Sequence, residues 1–265
     1  MRTVLLAAGI VLGLAASACA AGPALPVFTD VVQQAGLRFK HRCGDTHMSN
    51  IVEGTGAGCM FFDYDGDGWL DIYLVTGRYH PDVSDNTGRS LRGKLSNKLY
   101  RNNRDGTFTD VTEKAGVGGK QYSCGCSAAD YDGDGRIDLY VLNYGPNELF
   151  HNNGDGTFTD VSERSGLADA HWSLADGWFD YDDDGRLDVY VVNYLQYDKG
   201  EFRSFYPAQG YPGPLSYPAQ PHALYRNNGD GTFTNVSKEA GVHQTEGRGM
   251  SVAVADWRNC GLLDI

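Results

Sequence analysis

The chain has 265 residues, 34 acidic against 22 basic side chains, and a formal net charge of −12 at pH 7. That acidity argues against a nucleic-acid partner, whose phosphates need basic side chains to neutralise them. The length is sufficient for a sizeable core, and no apolar run is long enough to cross a bilayer as a helix.

Residues 1–21 read as a secretory signal: Met1-Arg-Thr, an apolar run from Val4 to Leu14, then Ala15-Ala-Ser-Ala-Cys-Ala-Ala21. Ala16-Ser-Ala-Cys19 partly matches a bacterial lipoprotein cleavage box but lacks its Leu. Cleavage at Ala18 fits equally well, so lipid attachment at Cys19 stays open, and with it the only membrane contact expected. The expected location is therefore periplasmic, cell-surface or extracellular. Val27-Phe-Thr-Asp-Val-Val-Gln-Gln-Ala-Gly36 predicts a strand followed by one helical turn. His41, Cys43, His47 and Glu53 form a loose group whose spacing fits no standard zinc site.

The first strongly patterned segment is Asp63-Tyr-Asp-Gly-Asp-Gly-Trp-Leu-Asp71, and it returns at 130–138 and 180–188. Each copy places Asp at positions 1, 3, 5 and 9 and Gly at position 6. Two like charges about 5 Å apart cost about 3 kcal/mol at an effective dielectric of ~20. A hard cation removes that repulsion, and oxygen ligands on a flexible loop suit Ca²⁺ better than Mg²⁺. The expected ligands are Asp63, Asp65, Asp67 and Asp71; Asp130, Asp132, Asp134 and Asp138; Asp180, Asp182, Asp184 and Asp188. The main-chain carbonyls of Trp69, Arg136 and Arg186 complete the three sets. An EF-hand would place Glu at position 12 between helices; here position 12 is Leu74, Val141 or Val191, within short β-branched runs that read as strands. Each loop therefore joins two strands. Acidic hairpin turns without metal would explain a single copy; three matching copies favour metal.

Asn97 to Val111 recurs at 147–161 and 222–236, two short strands around an Asn/Asp/Gly turn. A turn that satisfies its own backbone explains those Asn and Asp residues. A Ser or Thr start and a Gly stop then mark a helical turn at 112–116, 162–166 and 237–241. Together these make units of four strands, the signature of a β-propeller. The predicted blades run roughly over 49–117, 118–167 and 168–242, with a fourth begun at 243–265. Antiparallel order puts the acidic loops and the Asn-Gly turns on one face and the second-to-third connections on the other. The fourth unit's loop is eroded, with Arg258 and Cys260 where Asp is expected, and little or no metal is predicted there. About three and a half blades are read, as part of a larger ring.

Cys43, Cys59, Cys124, Cys126 and Cys260 are odd in number, which leaves at least one unpaired within the chain. Cys59 and Cys126, on the innermost strands, read as packing residues. Asp176 interrupts an apolar inner strand and is expected to bond a neighbouring blade. The third connection carries Tyr194, Tyr197, Phe202, Phe205, Tyr206, Tyr211 and Tyr217 among five prolines. Stiff aromatic segments suit protein or glycan contacts, and Tyr197, Phe202, Phe205, Tyr206, Tyr211 and Tyr217 are the candidate contacts; covering its own blade is the competing role.

Phe-Phe-Asp-Tyr-Asp-Gly-Asp-Gly at 61–68, Leu-Tyr-Arg-Asn-Asn-Gly-Asp-Gly-Thr-Phe at 224–233 and Tyr-Pro-Gly-Pro-Leu-Ser-Tyr-Pro at 211–218 resemble the FG-GAP/VCBS repeat proteins. They are most similar to bacterial relatives of the cartilage acidic protein family, which often carry a C-terminal ASPIC/UnbV domain. The resemblance implies an exported calcium-binding propeller, usually without enzymatic activity. Two functions follow as expectations: a binding or adhesion scaffold using the third connection, or a propeller hydrolase or lyase using the channel near Asp176.

Overall fold

The computed structural model describes residues 27–265 apart from 86, 199–210 and 244. The segment expected to be a leader, with Cys19, and the candidate contacts Phe202, Phe205 and Tyr206 lie outside the described residues. The chain divides into two units at Val31–Val32. In the first, Val27–Val31 are exposed and form no strand, contrary to expectation. A strand requires a ladder partner, and none of the described residues pairs with this segment.

The second unit, residues 32–265, is all-β and propeller-like: three four-stranded antiparallel sheets, each in sequential order. The first sheet holds β1 (Cys59–Phe62), β2 (Asp71–Leu74), β3 (Lys98–Asn102) and β4 (Phe108–Asp110). The second holds β5 (Tyr122–Ala129), β6 (Asp138–Tyr144), β7 (Glu148–Asn152) and β8 (Phe158–Asp160). The third holds β9 (Ser173–Phe179), β10 (Asp188–Asn193), β11 (Ala223–Asn227) and β12 (Phe233–Asn235). The first-strand/second-strand register is equivalent in all three, pairing Phe62 with Asp71, Ala129 with Asp138 and Phe179 with Asp188. Each acidic loop thus closes a hairpin between a blade's first two strands.

The core lies between successive sheets. Tyr73, Val75 and Leu99 of the first pack on Leu139, Val141 and Phe150 of the second. Tyr140, Leu142 and Leu149 then meet Val189, Val191 and Tyr225 of the third. The middle strands are buried on both sides, which is why they read as continuous apolar runs. Inner strands approach closely where glycine allows it. The Gly58 amide donates to the Cys124 carbonyl at 2.9 Å, and a Cβ on Gly58 would stand 3.1 Å from the Gly125 Cα.

Short helices follow the first two sheets at Thr112–Ala115 and Ser162–Ser165, each ended by a left-handed glycine, Gly116 or Gly166. The hydroxyl at the helix start does not cap the helix. Thr112, Ser162 and Ser237 instead accept from the strand amides of Leu99, Leu149 and Leu224 at 2.9 Å. The expected first strand of a fourth blade is reduced to one bridge, Ala255 to Asp264. Val252 and Val254 still pack beside Phe179 and Val192.

Candidate metal-binding loops

Each acidic loop is organised by the carboxylate at position 1. Asp63 accepts from the amides of Asp67 (3.0 Å) and Gly68 (2.8 Å). Asp130 and Asp180 do the same for Asp134 with Gly135 and Asp184 with Gly185. Positions 4 and 6 both take left-handed backbone, as at Gly66 (φ 69°) and Gly68 (φ 85°), while Asp183 holds position 4 of the third loop at φ 59°. The requirement at position 4 was not read from the sequence, although Gly-Asp-Gly in two copies carries the signal.

Position 9 is buried in all three loops, at 1%, 1% and 0% exposure for Asp71, Asp138 and Asp188. Asp71 accepts from the amides of Tyr64 (3.0 Å) and Asn102 (2.8 Å), and Asp138 and Asp188 repeat the arrangement. Burial pushes the Asp71 carboxyl up to about 6 and the Asp138 carboxyl up to about 7, with neighbouring loop carboxylates adding to the shift. Asp188 is raised for the same reasons.

In every loop, positions 1, 3 and 9 bring one carboxylate oxygen each within 4.8 Å of the others: Asp63, Asp65 and Asp71; Asp130, Asp132 and Asp138; Asp180, Asp182 and Asp188. Ligands about 2.4 Å from a calcium ion stand no more than about 4.8 Å apart across it, so the triads fit a divalent cation. Position 5 makes a further set of contacts. Asp67, Asp134 and Asp184 accept from the position 7 amide and turn their other oxygen to a guanidinium. In loops 2 and 3 that guanidinium is the position 7 side chain, Arg136 or Arg186. In loop 1 position 7 is Trp69, and Arg104 of the facing hairpin supplies the charge at 2.7 Å. The sites equivalent to Arg104 are Gly154 and Gly229, where a Cβ would crowd the Arg136 or Arg186 side chain. The exchange is visible in the sequence once position 7 and the hairpin turn are compared together.

The fourth loop keeps the turn. Asp256 accepts from the amides of Cys260 (2.9 Å) and Gly261 (2.6 Å). Arg258 at position 3 then pairs with Asp264 at position 9, at 2.7 Å. A guanidinium sits where the other loops gather acid.

Elsewhere the His41, Cys43, His47 and Glu53 group is not among the ligand clusters that the described residues form. Cys43 bridges to Gly77, while His47 joins Asp45 and Asp85. The five cysteines among the described residues are all free; Cys126 packs against the core, but Cys59 is exposed rather than packed. Asp176 accepts from Ser127 of the neighbouring inner strand, and the Trp178 indole donates to the same hydroxyl at 2.9 Å. It borders a cleft of about 410 Å³ with Gly58, Gly125 and Met250.

Of the described aromatic candidates, Tyr217 is buried and corrects the expectation of an exposed contact. Its ring packs on Tyr197, which meets Tyr144, and Tyr144 meets Trp172 and His80. The bridge between Leu195 and Ala219 folds these ends of the connection onto the blades. Tyr197 is half-buried, and Tyr211 is 39% exposed.

Compared with known proteins, a family model described as an FG-GAP-like repeat matches residues 63–141 and 130–191, a span that takes in all three acidic loops. No curated protein matches. Among solved structures, one titled for specific recognition of non-reducing terminal N-acetylglucosamine by an Agrocybe aegerita lectin is similar at 18% identity, with a TM-score of 0.28. The match covers 66% of this chain and 49% of that one, so the chain spans about half the length of the lectin structure.

Proposed function

We propose that this chain of FG-GAP-like repeats is an exported, calcium-binding scaffold whose loops hold one ion per blade. The observation that carries the reading is the triad at positions 1, 3 and 9, repeated three times with the same backbone support. Bound calcium would supply the positive charge that lets buried Asp71, Asp138 and Asp188 stay ionised beside their neighbours. The leader at 1–21 supports export, to a compartment where calcium is millimolar and modules of weak affinity are filled. Kinship with the bacterial relatives of the cartilage acidic protein family is supported by residues 61–68, 211–218 and 224–233.

Work as a scaffold, rather than as a catalyst, is supported by what occupies Asp176: its carboxylate is engaged between blades by Ser127. The partner is a protein or glycan, taken on the face opposite the loops, where Tyr211 and Leu215 are exposed. The test is thermal unfolding of the purified chain with chelator and with millimolar calcium. With millimolar calcium at about ten times a dissociation constant near 10⁻⁴ M, a ligand that binds only the folded state adds about 1.4 kcal/mol per site, so chelation at three sites should lower Tm by several degrees. Identical melts would reject the reading.

A further inference from the structure

Blade 2 departs from its neighbours at one residue of the wall that faces the loop. That residue is Arg101 in blade 1, Arg226 in blade 3 and His151 in blade 2. A guanidinium has no lone pair to offer a metal, whereas an imidazole has one. Arg101 accordingly donates to Asp65 at 2.7 Å.

His151 leans into its own loop. Its Nδ1 stands 3.2 Å from an Asp132 oxygen and 3.3 Å from Asp138, and its Nε2 stands 3.9 Å from Asp134. That Nδ1 is enclosed and has no hydrogen-bond partner despite this proximity. The nearby Asp138 oxygen already accepts the Asn152 amide. Tyr131 holds the ring edge-on at 6.1 Å. Asp132, Asp134 and His151 bring their ligand atoms within 4.8 Å of one another, a second group that shares Asp132 with the loop's own triad.

We propose that blade 2 carries a mixed nitrogen–oxygen site, His151 with Asp132 and Asp134, that takes a borderline divalent cation of the zinc class, with the Arg136 guanidinium giving way at Asp134. Oxygen-only loops favour hard ions, and imidazole raises the affinity for zinc and its first-row neighbours. Loops 1 and 3 have no nitrogen donor at the same place, so the selectivity is confined to one blade. The inference rests on the calcium reading in that Asp132 serves both groups.

The experiment is titration of the full chain with Zn²⁺ in excess Ca²⁺, for wild type and His151→Arg, which restores the residue of the other blades. Wild type should take up one equivalent of Zn²⁺, and His151→Arg should bind at least tenfold more weakly. X-ray absorption at the zinc edge of wild type should show one nitrogen among oxygen ligands, a readout independent of whether the variant folds. No uptake by wild type, equal uptake by both, or an all-oxygen shell would overturn the proposal. Calcium titrated alone on the same samples separates this failure from a failure of the calcium reading.

Discussion

The side-chain amide of Asn152 reaches back 88 residues to the main-chain carbonyl of Tyr64, at 2.8 Å, and ties the second blade's outer hairpin to the first blade's acidic loop. The same nitrogen donates to the Ile137 carbonyl at 2.9 Å, and the side-chain oxygen accepts the Gly154 amide. Asn227 repeats the link to Tyr131 at 2.7 Å. In blades 2 and 3 one residue thus joins two loops and closes its own turn.

Removing that amide strands two enclosed carbonyls, and a buried polar group left unpaired costs about 1–3 kcal/mol. Asn152→Ala and Asn227→Ala should each lose about that much stability in urea. Asn153→Ala, one residue on, removes only exposed turn bonds to Thr157 and Thr159 and should lose less than about 1 kcal/mol. Equal losses at 152 and 153 would show that the cross-blade bond contributes nothing.

The acidic repeat and the hairpins were legible because each is local in sequence and copied three times, and their alternation gave the four-strand unit. What was illegible is non-local. Asn152 read as a self-satisfied turn residue, and nothing within its hairpin points to Tyr64. Arg104 and Arg136 occupy different sites yet serve equivalent position 5 carboxylates, Asp67 and Asp134, a link that shows only when position 7 and the facing hairpin turn are compared together. Tyr217 read as a surface aromatic because burial under a neighbouring ring, Tyr197, leaves no local pattern. The strand expected at 27–31 matched a repeat by composition, but strands exist only in pairs.

Asp182 should reverse sign with calcium. Its carboxyl is raised by burial first and then by the charges of Asp184 and Asp180, so in the metal-free chain it is held among like charges. Asp182→Asn should raise Tm in chelator and lower it in millimolar calcium, because the same substitution relieves repulsion and removes a ligand. Asp230→Asn, in the exposed hairpin turn, should show no such reversal. A shift of the same sign in both buffers would remove Asp182 from the ligand set.

Arg101 competes with an ion for loop 1. It donates to Asp65 at 2.7 Å and stands 3.5 Å from Asp67. Exposed ion pairs are worth up to about 1 kcal/mol, so Arg101→Gln should tighten calcium at this loop by up to about fivefold. Trp69 lies in the same loop and is 47% exposed, so its emission, isolated by difference against Trp69→Phe, reports this site. Unchanged or weaker affinity would show that the guanidinium does not compete.

Asp176 sets a pH dependence separate from the loops. Burial raises its carboxyl from the ordinary 3.8 to about 6, against the opposing hydrogen bonds from Ser127 and Trp178. A carboxyl whose folded value is raised binds its proton more tightly in the folded chain. Stability therefore falls as pH climbs from about 4 to about 6, and the cost is complete above that range. A shift of about two units corresponds to about 3 kcal/mol. Asp176→Asn keeps an oxygen to accept from Ser127 and carries no charge. It should be more stable than wild type at pH 8 by up to about that amount, and the difference should close below pH 4. Urea denaturation at the two pH values measures it. A variant less stable at pH 8 would mean that the ionised carboxylate is what joins the inner strands. A turnover abolished by Asp176→Asn with folding intact would instead assign this carboxylate to chemistry in the cleft that it borders with Gly58 and Gly125.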